Sequence, residues 1–337
     1  MEGFAATPPM KPRERVFAAL EHHAPDKIPR FEIWIDGLLE ELGQEDGPGA
    51  YAGLGQDAVM MPSVNPPESN AWRTGVDEWG RRWRNGTYVG GVVDTDEDLE
   101  RYSPPLRVAE GRFDADEVAD VRTRFPDHCL IFGTHIGPLT AGYLAMGFER
   151  FFLRLHEDPA FVHRLLAART AWCIAVYERA IELGAEVVVL GDDGAHGGGP
   201  LISSSMWRAF VLPYHRQIVE ALDAPVIWHS DGDTTALLST AAEAGFVGVH
   251  GLDPIAGMDL AAVKDTFGED LVLVGNVDVR VLCAPDLSAV RREVDRCAAA
   301  GGADGGYMMA SCNSIFEGMA GDAVAEFFRY EAEVITG

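Results

Sequence analysis

Short apolar runs, each ending in polar or ionisable residues, recur through the second half of this chain. They read IFGTH at 131–135, VVVLGDD at 187–193, PVIWHSD at 225–231, LVLVGNVD at 271–278 and GYMMASCN at 306–313. Runs this short, rich in β-branched residues and bordered by Gly or Pro, predict strands buried on both faces, as in a parallel sheet. The stretches between them carry apolar residues at helical spacing and open on capping residues. Asp158-Pro159 supplies an N-cap and an N1 proline for a helix running to Gly184. Ser203 to Ser205 begin a helix that reaches about Leu222, and Asp259 begins LAAVKDTFG. TTALLSTAAEAG, LSAVRREVDRCAAAG and FEGMAGDAVAEFFRYEAEVI read as further helices, and FVGVHGLDP as one more strand.

Ahead of residue 128, RERVFAALEHH predicts a short helix, IPRFEIW a first strand, and GAYAGLGQDAVMMPS a helix end leading into a second strand. The stretch from Ser69 to Val93 differs, with three tryptophans, several glycines and short β-prone pieces. It predicts a β-hairpin inserted after the second strand. Five strand–helix units in a row after residue 128, with the strands before them, make eight strands available. The expected architecture is a single α/β (β/α)8 TIM barrel, residues 28–337, behind an N-terminal helical extension, residues 1–27. An open doubly wound sheet is the competitor. No GxGxxG follows the first strand, so its dinucleotide-binding form is unsupported.

Composition narrows the function. The chain has 337 residues, with 53 Asp and Glu against 27 Lys and Arg, a formal net charge of −26. That balance argues against nucleic acid, whose phosphates need clustered cations. No apolar run approaches the ~18 residues of a membrane span, and the first residues lack the apolar core of a leader, so a cytoplasmic enzyme is expected. The five cysteines (129, 173, 283, 297 and 312) include no CxxC pair. An odd, scattered set argues against a disulfide framework. Four are expected to be inert core thiols, and Cys312 stands apart because it follows a strand.

In a barrel the strand C-termini open onto one face, which carries the chemistry. His135, Asp192, Asp193, His229, Asp231, Asn276, Asp278, Cys312 and Asn313 would then converge. His135 and His196 are candidates for general-acid duty, and Asp192 and Asp193 for steering substrate or holding a proton. Trp34, Asn276, Tyr307 and Asn313 are the candidate substrate contacts, with Trp228 and Met309 as further candidates for an apolar wall. For each, the alternative is an ordinary pocket wall, loop cap or core residue.

The stretches RERVFAALEHHAPDKIP, GVDEWG, GPLISSSMWRAFVLPYHRQIVE, HSDGD, GLDPIAGMDLAAVKDTFG, LVLVGNVD and GYMMASCNSI resemble the uroporphyrinogen decarboxylase superfamily across nearly the full chain. True decarboxylases of that group carry an Arg-rich segment after the first strand. FEIWIDGLLEELG stands there instead, which argues against an octacarboxylate substrate. The other branch resembles zinc-dependent methyltransferases that work with a cobalamin-bearing corrinoid protein. Its His-x-Cys plus distal Cys motif implies zinc at His229 and Cys312, with Asp231 in place of the first Cys. Asp193 and Glu32 are alternative third ligands. The harder carboxylate leans toward Lewis-acid activation of a methyl ether, as in O-demethylation, with a small molecule as methyl donor or acceptor. A decarboxylase or lyase of a small acid, and a non-catalytic corrinoid or small-ligand binding protein, are the alternatives; a homodimer is left open.

Overall fold

The computed structural model describes residues 9–35, 37–44, 47–63, 74–102, 111–302 and 304–334. In chain order the strands are β1 (Ala58–Met60), β2 (Thr74–Val76), β3 (Arg81–Arg84), β4 (Thr87–Gly91), β5 (Cys129–Thr134), β6 (Val187–Gly191), β7 (Ala195–His196), β8 (Gly199–Pro200), β9 (Val226–Ser230), β10 (Gly248–Gly251), β11 (Val272–Gly275) and β12 (Tyr307–Met308). Seven of them form one curled sheet in the order β1-β5-β6-β9-β10-β11-β12, every pair parallel. The helices that follow the strands act as crossovers, so this is an α/β fold. Both sheet faces are covered. Along β6, Val187 and Val189 join one apolar cluster with Phe31, Ile33, Ile131, Ile227 and Val274, while Val188 and Leu190 join the second cluster with the helices. Two buried faces explain why these strands read as unbroken apolar runs.

IPRFEIW does not form a regular strand, yet it joins the two sheet edges. Phe31 N–H donates to Met309 O at 2.8 Å, and Met309 N–H to Pro29 O at 2.8 Å. On the other side Asp57 N–H donates to Arg30 O at 2.9 Å. Side chains replace further ladder partners. Glu32 N–H donates to Gln56 Oε1 at 2.8 Å and Ile35 N–H to the Tyr51 hydroxyl at 3.1 Å, while Tyr51 donates to Ile33 O at 3.0 Å. Pro29 has no N–H to give, so a continuous ladder is impossible at the start of this segment.

Other expectations fare differently. Asp158 does cap the helix Pro159–Glu182, accepting from Phe161 N–H at 3.1 Å. The helix expected from Ser203 to about Leu222 is two, Ser204–Phe210 and Leu212–Ala221. Pro213 cannot donate to a carbonyl of the preceding turn, which breaks the run. Residues 74–91 hold a three-stranded antiparallel sheet, β2-β3-β4, rather than two strands. Residues 69–73 of the expected hairpin, and 1–8 of the expected N-terminal extension, lie outside the described residues. Cys283 corrects the expectation of a core thiol, since it is exposed while the other four cysteines are buried. Leu282 takes the buried side of that turn.

Asp57 fastens the join. Its Oδ1 accepts from Arg15 Nη1 at 2.7 Å and its Oδ2 from Arg30 N–H at 2.9 Å, and both Asp57 and Arg15 are buried. Asp57→Ala is expected to cost about 3 kcal/mol, because it takes one of two carboxylate partners from a buried guanidinium, which keeps Asp26 and the Met10 carbonyl. Urea unfolding measures this, and a loss below about 1 kcal/mol would show that the join does not depend on this carboxylate.

Candidate functional site

The C-terminal end of β9 places His229 beside His250 of β10, at matched register. The two Nδ1 atoms are 2.8 Å apart, and His250 Nε2 is 3.1 Å from Ser311 O. A carbonyl only accepts, so the proton of His250 sits on Nε2. Burial pushes the His250 imidazole down to about 4, so the ring is neutral and its Nδ1 is a lone pair. His229 must then donate from Nδ1, which leaves a lone pair on its Nε2. Burial first, and then the neighbouring His250 and His135, hold His229 well below the usual histidine range. The freed Nε2 faces Asp231 Oδ1 at 3.5 Å.

Asp193, two residues past the end of β6, completes a cluster. Donor atoms of Asp193, His229 and Asp231 all lie within 4.8 Å of one another. Asp231 N–H donates to Asp193 Oδ1 at 3.1 Å, Asn313 Nδ2 to Asp231 Oδ1 at 2.7 Å, and Asp193 N–H to Thr140 Oγ1 at 2.9 Å. Burial, then the Asp193 and Asp253 charges, push the Asp231 carboxyl up to about 7. Burial raises Asp193 to about 6. Gly232 follows at φ +82°, where a Cβ would come within 2.6 Å of the His196 backbone, so only glycine lets the chain turn here.

Two cavities flank this cluster. One, about 400 Å³, is lined by Asp193, Asp231, His196, Tyr143, Phe148 and Asp253. Another, about 330 Å³, is lined by Trp34, His135, Trp79, Arg112, Phe132 and Trp172 among others. Trp34 links the second cavity to the centre, with its ring 4.1 Å from His135 and 4.9 Å, edge-on, from His229.

The expected site residues therefore divide. His229, Asp231, Asp193 and Asn313 come together, and Trp34 and His135 border them. His196 sits on the exposed β7–β8 turn, with Nδ1 accepting from Gly198 N–H at 2.9 Å. Asp192 turns away: its oxygens accept from Leu139 N–H (3.2 Å), Thr140 N–H (2.7 Å) and His215 Nε2 (2.8 Å), at the start of the helix Pro138–Met146. That is an anchor for a helix N-terminus rather than a catalytic placement. Asn276 is fully buried, donating to Leu252 O at 2.8 Å and accepting from Arg296 at 2.9 Å. Tyr307 is buried and donates to Gly275 O at 2.6 Å. Neither meets a cavity wall described above. Trp228 is core, its Nε1–H on Asp192 O at 2.9 Å. Asp278 caps the turn at Val279–Leu282 and pairs with Arg280. Glu32 accepts from Ser311 N–H and Ser311 Oγ, each at 2.8 Å, and stands outside the cluster. Cys312 also stands outside it; its buried thiol is pushed up, chiefly by burial. His250, Thr140 and Arg112 escaped notice in the sequence. For His250 the signal was there, because VHG repeats at the depth at which WHS carries His229.

A curled parallel sheet with titratable groups gathered beyond its strand ends is the layout of an α/β enzyme of the barrel type. The uroporphyrinogen decarboxylase (URO-D) family model matches residues 69–333, and the chain belongs to that family. A methylated-thiol–coenzyme M methyltransferase of Methanosarcina mazei is 28% identical over 225 residues, 66% of this chain and 51% of that protein. A methylcobamide:CoM methyltransferase of the same organism is 23% identical over 288 residues, 79% and 82% of the two chains. A uroporphyrinogen decarboxylase of Paraburkholderia xenovorans is 29% identical over 219 residues, covering 60% of this chain and 57% of its own. This chain thus spans only about half the length of two of these relatives. A solved methyltransferase from Methanosarcina mazei shares the fold, with a TM-score of 0.76 at 21% identity, over 96% of this chain and 99% of that one. Among the described residues, no helix is long and apolar enough to cross a membrane.

The raised carboxyls set a pH dependence. In the unfolded chain both titrate near 3.9, and in the fold near 6 and 7. At these two carboxyls the fold holds more protons than the unfolded chain between about pH 4 and 7, so their contribution to stability falls as pH rises through that window, while the buried neutral His229 and His250 act in the opposite sense. The urea midpoint should decline more steeply there in the wild type than in an Asp193→Asn/Asp231→Asn variant, which keeps the histidine contribution and loses the carboxyl one. Equal declines would place the titration elsewhere.

Proposed function

We propose that this chain is a zinc-dependent methyltransferase that moves a methyl group between a small substrate and a corrinoid carried by a partner protein. In this reading residues 29–35 serve as the eighth strand of a complete (β/α)8 barrel. The observation that carries it is the convergence of the His229 Nε2 lone pair with the Asp193 and Asp231 carboxylates beyond the strand ends. Two partly buried carboxylates beside a neutral imidazole form a donor set that a divalent cation satisfies. The names of the methyltransferase relatives supply the reaction class.

His229, Asp231 and Asp193 would hold the metal, with Cys312 kept as the alternative ligand. Zinc bound there supplies Lewis acidity toward an oxygen or sulfur of the substrate. The chain's own residues do the rest. His250 holds His229 in the tautomer whose Nε2 is a ligand, and Asn313 and the Asp231 backbone hold the two carboxylates in place. Trp34 shields the cluster on its apolar side. His135 is placed to protonate a leaving oxygen, and His196 stands at the rim. The nitrogen and oxygen donors are hard, which favours a methyl ether over a methyl thioether.

Metal content of protein purified without chelator tests this. About one zinc per chain is expected. Asp231→Asn and Asp193→Asn should weaken zinc binding by more than about 100-fold, and Cys312→Ser by less. The reverse order would return Cys312 to the ligand set in place of Asp193. No metal after zinc is offered would remove the reading. Carbon dioxide release without a corrinoid would replace it with a lyase.

A further inference from the structure

The cavity on the Trp34 side holds an unbalanced cation. Arg112 lines it, lying over the Trp172 ring at 5.3 Å. Among the described residues its guanidinium makes no ion pair or hydrogen bond, and its Nε is buried without a partner. The Trp172 indole N–H, in the same wall, is also buried and unpartnered, with the residue only 2% exposed. Arg81, the other cation of the cavity, is already matched by Asp77 at 2.6 Å. Glu78 lines the cavity and is felt by Arg112 electrostatically without forming an ion pair to it. Unsatisfied buried groups are rare and call for an explanation. Here both are donors, so the missing partner is an acceptor, and the guanidinium asks for one that is charged.

We propose that Arg112 and the Trp172 indole form the seat for a carboxylate on the substrate, whose flat apolar body lies along Trp34 and Trp79 toward His135. A guanidinium matches a carboxylate with two parallel hydrogen bonds. A dianion such as phosphate fits less well, because one cation near Glu78 in a chain of net charge −26 leaves it half balanced. The aromatic walls and a volume of about 330 Å³ suit a single substituted ring. An aromatic acid seated there has its far end toward Trp34 and His135, which border the His229 cluster. What the enzyme then does with that acid rests on the methyl-transfer reading; the seat itself does not.

Benzoate, benzamide and inorganic phosphate titrated into the full chain, followed by calorimetry and tryptophan fluorescence, test the seat. Benzoate should bind saturably, and benzamide at least about tenfold more weakly, since it loses the charged hydrogen bonds. Arg112→Gln should weaken benzoate by about tenfold or more, and Arg112→Lys by less. Arg112→Gln should also raise the melting temperature of the ligand-free protein, because it removes a half-buried charge that has no ion-pair partner among the described residues. His229→Ala should lose zinc but keep benzoate, which separates failure of the metal from failure of the seat. Benzamide binding as tightly as benzoate, no saturable benzoate binding, phosphate outcompeting benzoate, or unchanged affinity in Arg112→Gln would each overturn the proposal. If Arg112→Gln does not fold, the benzoate–benzamide comparison and Arg112→Lys decide.

Discussion

The short segment from Pro29 to Ile35 is the constraint on which the rest of this molecule depends. A parallel sheet with two open edges exposes unpaired backbone groups on both sides. Here one irregular stretch meets both, through Met309 on one side and through Asp57, Gln56 and Tyr51 on the other. Because side chains supply several of these bonds, the segment tolerates a proline and still holds its register. It also brings Glu32 and Trp34 into the interior at fixed positions.

Through Glu32 that closure reaches the chemistry. Its two oxygens take the N–H and hydroxyl of Ser311. The Ser311 carbonyl is thereby fixed, and it receives His250 Nε2–H. His250 in turn receives the Nδ1 proton of His229. Each link has one allowed direction, since a carbonyl cannot donate and a neutral imidazole carries one proton. A side-chain contact from Glu32 thus steadies the Ser311 carbonyl, and that carbonyl, through His250, decides which nitrogen of His229 is bare. Such outer partners commonly set the orientation and basicity of a ligand.

Much of the architecture was legible because burial on both faces writes itself as short apolar runs, and caps such as Asp158, Ser203 and Asp259 write themselves as single residues. His229, Asp231 and Asp193 were legible as strand-end residues for the same reason. Asn276, Tyr307 and Asp192 occupy similar positions in the sequence, yet they serve the fold. What separates the two groups is the partner each side chain finds, such as the helix amides for Asp192 or the Gly275 carbonyl for Tyr307. Those partners come from remote segments, and periodicity carries no record of them. Arg112 was hidden for a related reason, since an arginine in an acidic chain reads as surface until its surroundings are known.

Two groups of opposite charge stand apart in the site: the Asp193–Asp231 pair and the Arg112 guanidinium. Were Arg112 beside Asp193 or Asp231, the three would pair and the site would be complete without any ligand. Trp34 borders both the cavity of Arg112 and the ring of His229. Its indole offers neither side a counter-charge. Low polarity strengthens each unmet interaction. Groups left in this condition cost stability, and proteins retain such costs chiefly where function uses them. In the proposed reading that separation lets two different ligands be held at once, a cation among the carboxylates and an acid in the aromatic cavity, with Trp34 and His135 at the boundary where the two would meet.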